Sequence, residues 1–172
     1  MDWIRDILSP EEQISVSEMV RQAEMKTSGE IVPMIVRRSG NIPGVPVSLQ
    51  KYAWVRRLFV NRQSENDAVW RRAIVEFESL KIKNTKDRSG ILIFVSYFER
   101  RAVVLGDEAI HRLIPEQAWD ELLTALTTEM KQGQVVIGFQ KAIAMSGEIL
   151  HKYFPIQQND QNELKNHLVI KE

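Results

Sequence analysis

Asp87, Arg88, Asp107 and Glu108 are the residues whose types and spacing come nearest to a reactive centre. Asp87-Arg88-Ser89-Gly90 leads into the apolar run Ile91–Val95, and Asp107-Glu108 closes a second run, Ala102–Leu105. If the two runs pair as antiparallel strands, the residues before the first and after the second meet at one edge of a sheet. Carboxylates gathered there supply hard oxygen ligands, the kind that calcium or magnesium takes. Glu30, which begins an earlier strand, joins them only if that strand starts at the same edge. A structural role stays open beside this one, in which Asp87 accepts hydrogen bonds in its turn and Asp107 caps the helix that follows. No loop of regularly spaced oxygen ligands decides between the two.

Other candidates are weaker. Glu99, Arg100 and Arg101 fall on the turn between the two runs, where they could hold a phosphate or serve as solvated charge. His111 lies one helical turn beyond Asp107, an arrangement open to an acid–base pair or to a plain surface histidine. His151 and His167 have no neighbour at metal-binding helical spacing. The sequence holds no nucleophile elbow, phosphate-binding glycine loop or dinucleotide fingerprint.

The elements that position these residues can be read in order. Ser9-Pro10-Glu11-Glu12 is a capping box with proline in the first helical turn, and Thr27-Ser28-Gly29 ends that helix. Trp3, Ile4, Ile7 and Leu8 form a short arm packed on the body. Glu30–Arg38 reads as a buried strand, with Pro33 placing it at an edge or bulge because proline donates nothing to a ladder. Ser64 starts a helix whose apolar face is Val69, Ala73, Ile74, Phe77 and Leu80, widened by Trp70. That helix is a crossover, so its flanking strands are expected to be parallel, whereas the short step from Val95 to Ala102 demands an antiparallel hairpin. The sheet is therefore mixed. Two more helices follow, one from Pro115 through Trp119 and Leu126 to Met130 and one from about Val136 to Leu150. Residues 1–155 read as one domain, with 41–63 a loop or insertion and 156–172 a mobile tail without an apolar face.

Composition excludes several classes. With no cysteine there is neither a disulfide nor a thiolate site. Formal net charge is zero, so nothing global calls for nucleic acid. The acidic start lacks the pattern of a secretion signal, and no run approaches the roughly 20 apolar residues of a membrane span. As given, the chain reads as a soluble domain. Charge is nonetheless segregated: Arg37, Arg38, Lys51, Arg56, Arg57, Arg62, Arg71 and Arg72 face only Glu65 and Asp67 between positions 37 and 72. Within that stretch Lys51, Trp54, Arg56 and Arg57 could lie on a membrane or a partner, or simply cover the sheet.

SGEIVPMIVRRSG at 28–40, TKDRSGILIFVSYFERRAVVLGDEAI at 85–110, Trp119, Gly133, Gly138 and GEILHKYFP together resemble the TPM domain. The resemblance spans nearly all of the chain before the tail. It implies an α/β fold, a three-layer α/β/α sandwich around a central mixed sheet. The nearest branch looks like bacterial proteins in which a membrane hairpin interrupts the domain after its first strand; here residues 41–63 stand in that place without a spanning segment. Members are associated with divalent-cation binding, weak acid phosphatase activity and accessory roles at membranes. Cation-binding relatives carry Asp-Asn-Gly before the apolar strand, where this chain has Asp87-Arg88-Ser89-Gly90. Arg88 can put its own charge in place of the cation. The resemblance thus implies an accessory or interaction module at a cytoplasmic membrane face, its partner a membrane surface or membrane-associated protein. The alternatives are a phosphomonoesterase with Asp87, Asp107 and Glu108 on Ca2+ or Mg2+ and Arg88 steering phosphate, and a soluble protein-interaction module.

Overall fold

The structure is a computed structural model and describes residues 3–39, 67–82, 85, 87–157 and 164–172. Its elements in chain order are α1 (Pro10–Glu24), β1 (Glu30–Val36), α2 (Asp67–Ser79), β2 (Gly90–Ser96), β3 (Arg101–Gly106), α3 (Glu108–Leu113), α4 (Glu116–Lys131), α5 (Val135–Tyr153) and β4 (Val169–Lys171). The strands form one sheet in the order β3-β2-β1-β4. β1 runs parallel to β2 from Glu30↔Gly90 to Val36↔Ser96, and β2 pairs antiparallel with β3 from Ile91↔Gly106 to Ser96↔Arg101. The mixed sheet expected from the connection lengths is therefore present.

Every residue of β1 and β2 is buried, which is why these strands read as unbroken apolar runs instead of alternating ones. Alternation survives in where they point. Ile31, Ile35, Ile91, Ile93, Val95 and Val104 pack with residues of α1, α4 and α5. Val32, Met34, Leu92, Phe94, Val103 and Leu105 pack with Val69, Ala73, Ile74 and Phe77 of α2. Helices thus cover both faces of the sheet, giving three layers. The capping box at α1 forms as expected: Ser9 Oγ accepts from Glu12 N at 3.2 Å, and Ser9 N donates to Glu12 Oε2 at 2.7 Å.

Pro33 takes the one kind of place a buried strand offers it. Glu30 N donates to Ser89 O on the β2 side, whereas Ile31 N and Arg37 N face the other way, to Glu24 Oε1 and Lys171 O. By the two-residue period Pro33 nitrogen also faces away from β2. β4 begins opposite Met34, so no ladder partner stands at Pro33. The edge strand expected from Pro33 is instead an inner one, between β2 and β4, open on the β4 side along Glu30–Pro33.

The expectation of a mobile tail over 156–172 is corrected at its end. Residues 169–171 add strand β4, parallel to β1. Leu168 is buried and its N–H donates to Ser17 Oγ at 3.3 Å. Lys171 Nζ lies 2.5 Å from Glu76 Oε2, a carboxylate also held by Arg72 Nε at 2.8 Å. A three-residue strand has no period to detect, and its anchors lie about a hundred residues away in sequence. Residues 41–63, including Lys51, Trp54, Arg56 and Arg57, and the helix start at Ser64 lie outside the described residues.

Candidate functional site

Parallel pairing of β1 and β2 and antiparallel pairing of β3 put the start of β2 and the end of β3 at one end of the sheet. Two glycines allow the chain to close there. A Cβ on Gly90 would stand 2.7 Å from the Ile82 carbonyl oxygen and inside that residue's side chain. A Cβ on Gly106 would stand 2.7 Å from Trp119 Cη2. Asp107 N then donates to Gly90 O at 3.0 Å, which carries the ladder one step past the strands and fixes Asp107 against the turn at Arg88.

Arg88 and Asp107 meet. Arg88 Nη2 lies 3.2 Å from Asp107 Oδ1 and Nε 3.4 Å from Oδ2, a two-pronged contact with a carboxylate that is itself buried. Arg88 Nη1 is 3.5 Å from Glu108 Oε2, and Glu108 in turn pairs with Arg112 one helical turn on. Asp107 Oδ1 also accepts from Glu108 N at 2.6 Å, so Asp107 caps α3 as the structural reading anticipated. Two acids and two arginines balance. Donating hydrogen bonds to Asp107 raises the Arg88 guanidinium above its ordinary pKa, aided by the charges of Asp107 and Glu108, so it stays protonated throughout the physiological range.

Asp87 does not join this group by any ion pair or hydrogen bond among the described residues. It is half-buried in the turn, while the following Arg88 has a left-handed backbone, φ 51°. Glu30 sits in register with Gly90, at the same end, and is buried. Among the described residues no three His, Asp or Glu side chains converge as a metal ligand set. The residues present do not fit a divalent cation as they stand, because the position between Asp107 and Glu108 is taken by Arg88. Arg112 was not singled out from the sequence, although its spacing of four from Glu108 is the usual signal of a helical ion pair.

His111 shows what the end of the sheet does to a titrating group. Burial lowers its imidazole below the ordinary value, with the charge of Glu116 acting the other way. A histidine so lowered favours the folded chain while neutral. As pH falls through about 6.5 the unfolded chain takes up the proton first, so stability present above that pH is lost on the way down to the folded-state value. His111→Gln is expected to flatten the pH dependence of the urea midpoint between about pH 7 and 5. Parallel profiles for the two proteins would show that His111 carries none of it.

The far end of the sheet differs from expectation. Glu99, anticipated as hairpin-tip charge, turns inward: its carboxylate accepts from Ser39 N at 3.2 Å and from Ser96 Oγ at 2.5 Å, and Ser39 Oγ donates to Ser96 Oγ at 2.6 Å. Arg100 and Arg101 stay exposed. Among the described residues no helix is long and apolar enough to cross a membrane.

A protein-family model described as the TPM domain matches residues 4–149. The chain is also similar to the NMR structure of the BA42 protein from the psychrophilic bacterium Bizionia argentinensis, with TM-score 0.76 and 29% sequence identity over 99% of each chain. No curated protein matches it.

Proposed function

We propose, from the premise that this chain belongs to the TPM domain family, that it is a non-catalytic accessory or interaction module working at a cytoplasmic membrane face. The observation that carries the non-catalytic part is the Arg88 side chain, which holds Asp107 and reaches Glu108 where a phosphoryl-transfer metal would need both. A guanidinium supplies fixed positive charge and hydrogen bonds, and it neither activates a bound water nor accepts an incoming phosphoryl oxygen as a Lewis acid. Asp107, committed to a helix cap and an ion pair, has no spare role as a general base. The membrane part is supported by the basic stretch between Arg37 and Arg72, which charge balance elsewhere in the chain makes locally cationic. Its partner in this reading is a membrane surface or a protein that resides on one.

The non-catalytic part is tested with p-nitrophenyl phosphate in the presence of calcium or magnesium. Hydrolysis by the wild-type chain is expected to equal that by Asp107→Ala and by buffer. A wild-type rate that needs the metal and falls tenfold or more in Asp107→Ala, about 1.4 kcal/mol of transition-state stabilisation, would instead assign a phosphomonoesterase.

A further inference from the structure

We infer that the tip of the β2–β3 hairpin is the surface on which this domain meets an anionic lipid bilayer, Phe98 and Tyr97 entering the headgroup layer while Arg38, Arg100 and Arg101 pair with lipid phosphates. This rests on the membrane reading above and names the contact that serves it.

The tip carries features that folding does not require. Phe98 is 64% exposed and Tyr97 43%, two aromatic side chains next to each other just past β2, whose own residues are all buried. The Arg38 guanidinium lies 4.0 Å from the Phe98 ring centroid, and Trp3 stands 6.3 Å from Tyr97. Arg100 holds a left-handed backbone, φ 52°, where a long side chain is disfavoured and glycine or asparagine would be at ease. The tip is nonetheless rigidly tied. Tyr97 N donates to Val36 O and Phe98 N to Arg37 O, both at 3.0 Å, which extends the β1–β2 ladder into the turn.

Charge completes the pattern. Glu99 is the one acid of the turn, and its carboxylate is withdrawn into hydrogen bonds with Ser39 and Ser96. Arg37 pairs with Glu172, at 3.4 Å and in solvent. Among the described residues no carboxylate forms an ion pair with Arg38, Arg100 or Arg101, so the outer face of the tip is cationic and aromatic together. Such a combination suits the bilayer interface, where aromatic rings sit at headgroup depth and arginines reach lipid phosphates from an apolar stem. A nucleic acid calls for a longer basic groove or stripe. This tip is a narrow turn on a chain of zero net charge. β2, seven residues long, holds it roughly 20 Å from Arg88 and Asp107, at about 3.3 Å per residue, so docking leaves that end of the sheet free.

Flotation of the full chain with phosphatidylcholine–phosphatidylglycerol vesicles, against phosphatidylcholine alone, tests this. Wild type is expected to float with the anionic vesicles only, less so as salt is raised. R100Q/R101Q is expected to lower the partition coefficient roughly thirtyfold, about fivefold per arginine. F98S is expected to lower it about tenfold, and Lys131→Gln on α4 to leave it unchanged. The variants alter exposed side chains and are checked for an unchanged melting temperature. If wild type floats and the tip variants float equally well, the tip assignment is overturned while the membrane reading stands. If wild type does not float, both fall. Tip-dependent binding of a labelled oligonucleotide without vesicle binding would overturn the lipid assignment as well.

Discussion

Trp119→Ala is expected to cost about 3–5 kcal/mol, a large part of the 5–15 kcal/mol that usually holds a domain together. Trp119 is completely buried and among the largest such side chains in the molecule. It belongs to the core on the α1, α4 and α5 side of the sheet, with Ile93, Val104, Ile110 and Leu122. Its ring edge is also the surface that Gly106 approaches, so removing it opens a cavity beneath the residue that precedes Asp107. Loss of the ring should therefore loosen the cap of α3 together with the core. Urea unfolding followed by far-ultraviolet circular dichroism reads the change, and Trp119→Phe, which keeps most of the volume, should lose far less. A midpoint for Trp119→Ala close to wild type would mean that the ring is not the buttress its burial indicates.

Arg88→Asn is expected to turn a closed ion pair into a cation site. Without the guanidinium, buried Asp107 and its neighbour Glu108 lose their common positive charge. The resulting loss of stability is expected to be small, about 1 kcal/mol, because the Arg88 side chain is half exposed and solvent screens it. Relief of the left-handed backbone at position 88 offsets part of it, since asparagine tolerates that conformation better than arginine. Asp107, with Glu108 still paired to Arg112, then offers oxygen ligands short of one counter-charge, which favours calcium or magnesium. The melting temperature of Arg88→Asn should rise with added calcium, as mass action requires of an ion that binds only the folded chain, while that of wild type should not move. A variant as indifferent to calcium as wild type would show that Asp107 and Glu108 are not a latent ligand pair.

Much of the scaffold was legible because it rests on local or strongly apolar signals. Ile91–Val95 declares a strand covered on both faces, Ser9 and Glu12 declare a helix start, and the short step from Val95 to Ala102 leaves room only for a hairpin. Side-chain partners across the fold were not legible. Arg88 reaches Asp107 only once β2 and β3 are in register, and whether the arginine steers a ligand or closes on the acid depends on a backbone angle that sequence does not state. Glu99 reads as solvated charge in a run of charged residues; its inward turn depends on Ser39, sixty positions earlier. β4 escapes notice because three residues carry no periodicity and gain their place from Leu168, Lys171 and Glu76. Pro33 signals an edge or a bulge, whereas β1 lies inside the sheet and lacks a second strand neighbour only along Glu30–Pro33, before β4 begins opposite Met34.

The chemistry of this end of the sheet turns on whether Arg88 excludes a divalent cation from Asp107 and Glu108. Calorimetric titration of the full wild-type chain with calcium, then separately with magnesium, at neutral pH measures this directly. No saturable heat is expected from either ion. Saturable heat in wild type that vanishes in Asp107→Asn would contradict it, and would return this end of the sheet to metal chemistry.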